Sequence, residues 1–433
     1  MTVVPKRIQQ SYGLLPKDWR IEKLKFFADV RNSNVDKTVA DDEAPVRLCN
    51  YTDVYYNDRI TTSLEFMKGS ATEAEIEKFQ LKRDQVIITK DSEGWDDIGI
   101  PALVAQDMPN VLCGYHLSVL EPGVELDGAF LAWLCRSEPL NDQFKLGANG
   151  VTRYGLGQYP LKNSYVALPP LETQRRIAQF LDEKTARIDG LIEKKRALLE
   201  RLAEKRQALI TRAVTKGLNP DAPMKPSGID WLGDIPAHWD LVPFKWRCQV
   251  QSGQVDPREE EYADMPLIAP DHIESGTGRL YDISSAEEQG AISGKYFCPK
   301  GSVLYSKIRP ALRKVALYES ECLCSADMYA IDPGAHFERG YLFYFLLTDA
   351  FTAYAELESL RVAMPKVNRD ALGAFPLPAP SLDEQIEISD FCFRTDQEHR
   401  AVADQITRSI ERLEEYRSAL IAAAVTGQIG GLQ

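Results

Sequence analysis

The longest regular pattern of hydrophobic and polar residues runs from Glu172 to Lys216, a highly charged stretch without proline. Hydrophobic positions recur four and three residues apart, which indicates a helix that packs against another helix. Its seam consists of Ile188, Ile192, Leu199, Leu202 and Leu209, with Lys195 and Arg206 as polar interruptions. A helix of about 29 residues is roughly 44 Å long and cannot bury such a stripe by itself. The pattern therefore predicts a partner helix.

The partner lies in the same chain. Leu382–Thr426 aligns without gaps with Leu171–Thr215, and Gln174 and Gln385 match near the start of the two stretches. The second seam consists of Ile406, Ile410, Leu413 and Leu420. Residues 172–218 carry a net charge of +5 and residues 381–433 a net charge of −5, and opposite charge favours pairing of the two helices with each other. Two solvated faces whose charges never meet remain the alternative.

The internal repeat extends beyond these helices. Pro16 to Trp19 resembles Pro236 to Trp239, and Val86 to Lys90 resembles Val303 to Lys307. From Cys113, which matches Cys324, the offset settles at 211 residues. The chain is therefore predicted to contain two copies of one unit, each a globular module followed by a long helical arm.

Each module has the pattern of a mixed α/β fold (α+β). Strands are predicted for the β-branched and aromatic runs, and a helix is predicted where such residues recur at three- and four-residue spacings. The predicted strands are 85–90, 302–307, 314–318 and 328–331, the helices are 128–135 and 340–351, and 218–228 is predicted to be a linker. The predicted domains are module 1 (1–167), the central arm (168–218), a linker with module 2 (219–376) and the C-terminal arm (377–433).

Composition and motifs narrow the range of functions expected for this chain. Forty-four per cent hydrophobic residues is typical of a globular protein, and no apolar run is long enough to span a membrane. The eight cysteines include no CxxC pair, so we expect no metal site, no disulfide framework and a reduced, cytoplasmic protein. Neither a GxGxxG nor a GxxxxGK[ST] motif occurs, and the five histidines are scattered. We therefore expect no catalytic residues in this chain.

Two globular modules, each ended by a proline-rich turn and followed by a long arm, resemble the specificity subunit of Type I restriction–modification systems. The resemblance covers nearly the whole chain. Its most specific parts are Leu168 to Gln174, the arm end from Leu209 to Gly217, Gly301 to Pro310, and the opening Ile235 to Trp239. The duplicated order of these motifs carries the resemblance, because none of them is decisive alone.

The resemblance implies two target-recognition domains, each reading one half of a bipartite, asymmetric site in double-stranded DNA. The arms would form an antiparallel helical spacer that docks two methyltransferase subunits, and restriction (translocase) subunits would join that complex. No cofactor is expected in this chain, whereas S-adenosylmethionine is expected in the partner methyltransferase. Two modules about 44 Å apart would lie roughly 13 base pairs apart on a duplex.

Basic residues near predicted strand ends and before the arms are the candidates for DNA contact, through base edges or phosphates. They are Lys90, Arg153 and Tyr154 in the first module and Lys307, Arg309, Arg313, Lys314, Arg361, Lys366 and Arg369 in the second. We interpret Tyr55, Tyr56 and Tyr159 as core aromatics, with base contact as the alternative.

The net charge of −13 opposes nonspecific attraction to DNA. If this chain is a specificity subunit, partner subunits would supply most of the backbone neutralisation, and the isolated chain would bind DNA weakly and in a salt-sensitive manner. The alternative function is a non-catalytic coiled-coil scaffold whose acidic modules bind proteins.

Overall fold

The chain folds as two compact units in a computed structural model that describes residues 4–359 and 365–432. The first unit comprises Met1–Lys195 and Arg408–Gln433, and the second comprises Arg196–Thr407. Each unit therefore contains a module, the beginning of the long helix that follows it, and the end of the other long helix. The predicted boundaries at residues 167, 218 and 376 divide the sequence differently and stay a prediction for the recognition domains.

The first module is a mixed α/β structure that leads into the first long helix. Its described helices and strands are α1 (Lys6–Tyr12), β1 (Arg20–Lys23), β2 (Ala28–Asn32), β3 (Ala44–Cys49), α2 (Tyr51–Tyr55), β4 (Arg59–Ile60), β5 (Met67–Ala71), α3 (Glu73–Phe79), β6 (Val86–Thr89), β7 (Asp91–Ser92), β8 (Pro101–Val104), β9 (Val111–Cys113), β10 (Leu117–Pro122), α4 (Gly128–Arg136), α5 (Glu138–Gly147), β11 (Tyr154–Gly155), α6 (Gln158–Asn163), β12 (Tyr165–Leu168) and the long helix α7 (Leu171–Lys216).

A five-stranded sheet with the order β2-β10-β6-β8-β4 organises the first module. All four residues of β6 are buried, because the two faces of the strand contact different cores. Val86 and Ile88 face a core that α4 and α5 complete, whereas Ile87 faces a second core shared with β3 and β9. Successive side chains of a strand point to opposite faces of the sheet, and in β6 both faces are covered.

The second module repeats this plan with shorter strands. Its described helices and strands are β13 (Met224–Pro226), β14 (Asp234–Pro236), β15 (Asp240–Pro243), β16 (Gln249–Val250), β17 (Gln254–Val255), α8 (Glu260–Ala263), β18 (Leu267–Ile268), β19 (Lys295–Cys298), β20 (Val303–Ser306), β21 (Val315–Leu317), β22 (Cys322–Cys324), β23 (Met328–Asp332), α9 (Arg339–Leu346), α10 (Asp349–Ser359), α11 (Arg369–Ala374), β24 (Pro376–Ala379) and the long helix α12 (Leu382–Val425). Its two main sheets have the orders β16-β23-β20-β21 and β17-β19-β22-β18.

The predicted strands and the helix 128–135 are confirmed by β6, β20, β21, β23 and α4. Two details were wrong. The helix predicted for residues 340–351 is divided, because Leu347 and Thr348 end α9 and the Thr348 hydroxyl accepts a hydrogen bond from Phe351 N–H at the start of α10. The predicted linker contains a strand, since β13 pairs with β14 in antiparallel register.

The glutamine that opens each arm fixes the arm to its module. Gln174 accepts a hydrogen bond from the backbone N–H of Asp127 (2.8 Å) and donates to two backbone carbonyls. Gln385 makes the equivalent bonds, accepting from the N–H of Glu338 (2.8 Å). Both side chains are buried, so each amide satisfies backbone groups that would otherwise be unpaired in an apolar environment.

The ends of the two arms pack in the same way. A left-handed glycine follows the last turn of each long helix, Gly217 after α7 and Gly427 after α12. Gly217 lies against Trp239 in the second unit, and Gly427 lies against Trp19 in the first. The Pro-x-x-Trp motif of each module therefore packs on the end of an arm, which explains why the sequence repeats it.

Side chains of the two long helices meet within each unit. In the second unit, Arg206 bonds Asp396 through Nε (2.5 Å), and Gly217 lies beside Glu384, so the two helices run antiparallel there. In the first unit, Arg417 bonds Asp189 (2.8 Å). The predicted seam is buried at Ile188, Ile192, Ile406 and Ile410 and half-buried at Leu199, Leu202, Leu209, Leu413 and Leu420. Arg206, predicted as a polar interruption, is itself buried.

All eight cysteines are free and buried. Within the part of the chain that the structure describes, no helix is long and apolar enough to cross a membrane. The fold class predicted from the sequence, two α/β modules in tandem with a long helix after each, is confirmed.

Candidate nucleic-acid interface

The first module collects its candidate residues at one end of β6. Lys90 follows the strand directly, and the pairing of β7 with β11 places Tyr154 opposite Ser92. Lys90 Nζ donates to the backbone carbonyl of Ser33 (3.0 Å), so its ammonium is held at the surface and half-buried. Lys90 therefore lies at the same sheet edge as Arg153 and Tyr154, which are far from it in sequence. Tyr154 also packs against the main core of its unit.

His116, one of the five scattered histidines, lies at the centre of this edge. His116 Nδ1 is 2.7 Å from a carboxylate oxygen of Asp91, and a guanidinium nitrogen of Arg153 is 3.4 Å from the same ring nitrogen. The ring of Tyr115 lies 3.7 Å from the imidazole, centroid to centroid. Arg153 itself is exposed. The edge therefore presents hydrogen-bond donors and acceptors together, as base recognition requires.

A group of tyrosines extends from this edge along α2. Tyr51 and Tyr55 are stacked with centroids 5.3 Å apart, and Tyr55 meets Tyr56 edge to face at 5.0 Å. The Tyr55 hydroxyl donates to Asp97 (2.9 Å), and this bond raises the pKa of the phenol. Burial, with the charge of Asp97 next in importance, raises the pKa of Tyr51. Both phenols therefore stay protonated, and the single hydroxyl proton of Tyr55 is donated to Asp97.

The interpretation of Tyr56 and Tyr159 as core aromatics was wrong. Their exposed fractions are 76% and 79%, because Tyr56 follows the last turn of α2 and Tyr159 lies in the first turn of α6, where none of the described elements covers the ring. Tyr55 is half-buried, as part of the tyrosine group. Exposed aromatic rings are suited to stacking or edge contacts with nucleotides.

The second module presents cations at the equivalent edge. The segment after β20 runs beside residues 365–367, with Arg309 N–H donating to the carbonyl of Pro365 (3.0 Å) and Ile308 bridged to Lys366. Lys307 Nζ and the Arg369 guanidinium lie 5.3 and 5.5 Å from the ring centroid of Tyr329. Burial raises the pKa of the Tyr329 phenol, against a smaller lowering by Arg369.

The basic candidates of this module differ in exposure and in whether their side chains already bond to other parts of the module. Arg309 and Lys366 are exposed, whereas Arg369 donates to two backbone carbonyls. Arg313 forms an ion pair with Asp349, and Lys314 Nζ donates to a backbone carbonyl, so both hold the fold together at this position. Arg361 lies outside the described residues.

His116, Asp91, Tyr51 and Asp97 were not predicted from the sequence. The internal repeat held one signal for His116. At the offset of 211 residues that matches Cys113 with Cys324, His116 matches Asp327. The contact between Asp91 and His116 joins residues that are distant in sequence, and only the strand pairing reveals it. Within the described residues, no group of three or more His, Cys, Asp or Glu side chains is arranged to hold a metal ion.

Comparison with known proteins identifies the family of this chain. The family model described as "Type I restriction modification DNA specificity domain" matches residues 16–201 and 243–412. The chain is 33% identical over 202 residues to the Type I restriction enzyme EcoDI specificity subunit of Escherichia coli, covering 46% of this chain and 44% of that protein. It is 25% identical over 233 residues to the putative type I restriction enzyme MjaX specificity subunit of Methanocaldococcus jannaschii, covering 53% and 52%. The matches thus span about half the length of these relatives.

Two solved structures share the fold. One is the crystal structure of the HsdS subunit from Thermoanaerobacter tengcongensis, with a TM-score of 0.55 and 18% identity over 97% of this chain and 100% of that one. The other comes from work on the assembly and conformational transition of the type I R-M system, with a TM-score of 0.69 and 18% identity over 96% and 100%. Because the family model covers most of both modules, this chain belongs to the family of Type I restriction–modification DNA specificity subunits, as its duplicated motifs indicated.

Proposed function

We propose that this chain is the DNA-recognition subunit of a Type I restriction–modification complex. Each module reads one half of a bipartite, asymmetric site in double-stranded DNA. The observation that carries the proposal is the match of one DNA specificity family to both modules. The different side chains at their equivalent edges support unlike half-sites, since Arg153 and His116 accompany Lys90 in one module and Arg369 and Tyr329 accompany Lys307 in the other.

The arms are proposed to set the gap between the half-sites and to dock two methyltransferase subunits. The antiparallel contact of α7 and α12 in the second unit and the opposite net charges of the two arms support this role. Replacing both Leu202 and Leu413 with Lys places two charges in the seam. We expect this double variant to lose assembly and methylation, and unchanged activity in the assembled complex would contradict the role of the seam.

The catalytic steps are assigned to partner subunits. In this division, the methyltransferase subunits bind S-adenosylmethionine, the restriction subunits join the same cytoplasmic complex, and this chain contributes specificity. The net charge of −13 supports a further expectation, because partners would have to neutralise most DNA phosphates. The isolated chain should bind its site weakly and lose that binding at moderate salt, and equally tight binding by the isolated chain and the complex would contradict this division.

The direct test is a map of methylated bases in DNA from cells that express this chain with its cognate methyltransferase subunits. The expected result is one motif of two short, unlike halves around a fixed, unspecified gap. An assembled complex that methylates without any sequence preference would overturn the proposal in favour of a protein-binding scaffold.

A second experiment assigns one half-site to one module. The segment from Lys90 to Arg153 is exchanged for the corresponding segment of another family member, and the arms are left unchanged. One half of the methylated motif should change while the other half and the gap stay the same. Changes in both halves, or in neither, would contradict the assignment of one half-site to each module.

A further inference from the structure

One turn occupies the same place in both modules. In the first, the N–H of Leu117 donates to the carbonyl of Gly114 (3.0 Å), closing a turn between β9 and β10. In the second, the N–H of Met328 donates to the carbonyl of Ser325 (3.0 Å) between β22 and β23. The turns are 211 residues apart, which is the offset of the internal repeat. They are therefore the same structural element in the two copies.

The third residue of each turn is held by the same backbone bond. The N–H of Lys90 donates to the carbonyl of His116 (3.0 Å), and the N–H of Lys307 donates to the carbonyl of Asp327 (3.0 Å). Lys90 and Lys307 are themselves the residues that follow β6 and β20. Each turn is thus attached to the strand end where the candidate DNA-contacting residues collect.

The side chains at this shared position have different hydrogen-bonding chemistry. His116 is directed by Asp91, whose carboxylate lies 2.7 Å from Nδ1, and its side chain is 24% exposed. With Nδ1 occupied, Nε2 is the ring nitrogen left to meet a ligand. Asp327 is exposed, and its carboxylate can only accept hydrogen bonds when ionised. One backbone site therefore presents an imidazole in one module and a carboxylate in the other.

We propose that this turn position is a base-reading position in each module, and that the exchange of His116 for Asp327 makes the two half-sites different. The inference rests on the proposed function. A carboxylate in the major groove accepts from the exocyclic amino group of cytosine, and a directed imidazole meets a base edge through a single nitrogen. The neighbouring Lys90 and Lys307 bring a cation to the same place in both modules, which is suited to the phosphate or to a guanine edge.

The surroundings of each turn fit this role. In the first module, the exposed Arg153 and the ring of Tyr115 flank His116. In the second, Asp327 is held beside Lys307, whose ammonium lies over Tyr329. A carboxylate that contacts a base edge does not need to contact the phosphate backbone. Base reading by Asp327 is therefore compatible with the acidic net charge of the chain.

The test uses the complete complex with its methyltransferase subunits and two single variants, His116→Gln and Asp327→Asn. Methylation is mapped on a DNA library that contains every single-base change in both half-sites. Asp327→Asn should reduce the preference at one base pair of one half by about tenfold or more. His116→Gln should do the same at one base pair of the other half. In each case the remaining bases and the gap are unchanged.

Exposed acids elsewhere in each module serve as controls. Asp264→Asn and Glu77→Gln remove the same charge from positions outside the turn and should leave every base preference unchanged. Asp91→Asn removes the carboxylate that directs His116, and we expect it to weaken the same base preference as His116→Gln by a smaller factor. Retained recognition of the opposite half shows that a variant is folded and assembled.

The outcomes separate this inference from the proposed function. A wild-type complex without a bipartite motif would overturn the proposed function and this inference with it. A wild-type bipartite motif that both turn variants keep at every base would overturn the inference alone. A uniform loss of methylation on all sequences, with preferences intact, would also overturn it, since the turn would then serve only the fold.

Discussion

Arg206 and Arg417 occupy equivalent positions of the two arms, but their ion pairs differ in how deeply they are buried. Each reaches across to an aspartate on the other long helix, at 2.5 Å for Asp396 and 2.8 Å for Asp189. The side chains of the first pair are only 10% and 12% exposed, whereas those of the second are 23% and 43% exposed. The bond is nearly the same in both units, and the access of water to it differs.

The acids are not equivalent in the repeat, although the arginines are. The counterpart of Asp396 is Thr185, and the counterpart of Asp189 is Arg400, so the acid has moved by one helical turn. Arg400 itself binds Asp396 (2.8 Å). The comparison shows that a duplicated helix can keep its cation and relocate the partner. The cost of losing either pair then depends on burial more than on the hydrogen bond.

The largest effect is expected for Asp396→Leu. It leaves Arg206 buried without a carboxylate, while Nη2 of the same guanidinium already has no hydrogen-bond partner among the described residues. Breaking a buried pair from one side costs about 3–5 kcal/mol. Hydrogen exchange of the second unit in increasing urea measures the loss.

The matched control for Asp396→Leu is the double variant Asp396→Leu with Arg206→Met. Replacing a buried pair by apolar side chains is often close to neutral, so the double variant should recover most of the lost stability. A double variant as unstable as Asp396→Leu alone would show that the unpaired charge is not the cause.

Gln174→Leu and Gln385→Leu should come next, and they sharpen the comparison because their contacts are the same in both units. Each leaves one backbone N–H and two carbonyls without their side-chain partner. The expected loss is roughly 2–3 kcal/mol in either unit. Unequal losses, measured by hydrogen exchange in the unit concerned, would show that the two arm attachments are not energetically equivalent.

Arg417→Met should cost about 1 kcal/mol or less, since water screens the half-exposed Asp189 and solvates it when its partner is removed. Hydrogen exchange of the first unit gives the value. A loss as large as that of Asp396→Leu would contradict the argument from burial.

The smallest effect is expected for Glu183→Gln, which removes an exposed ion pair with Arg187 on the same helix. Pairs of this kind contribute about 0.3–0.5 kcal/mol. The urea midpoint of the first unit should therefore stay nearly unchanged. A loss of stability as large as that of Arg417→Met would indicate that Glu183 contributes more than its exposed ion pair.

The sequence predicted the features that repeat. The 211-residue offset identified Gln174 with Gln385 and located both long helices, because buried amides and helical seams leave a periodic trace in one dimension. The division between α9 and α10 was missed, since Thr348 ends one helix and caps the next within a continuous apolar run. The contact of His116 with Asp91 was also missed, because it depends on strand pairing. Lys90, Arg153 and Tyr154 were predicted together only as a list, and the pairing of β7 with β11 brings them to one edge.

The discontinuous first unit has a consequence for synthesis on the ribosome. Its main core includes Ile421, Ala424 and Val425 from the end of α12, so that core stays open until this late segment has emerged. The second unit is one continuous segment, Arg196–Thr407, and its core can close earlier. The module translated first is thus completed last, and during that interval its unfinished apolar face is open to non-native association.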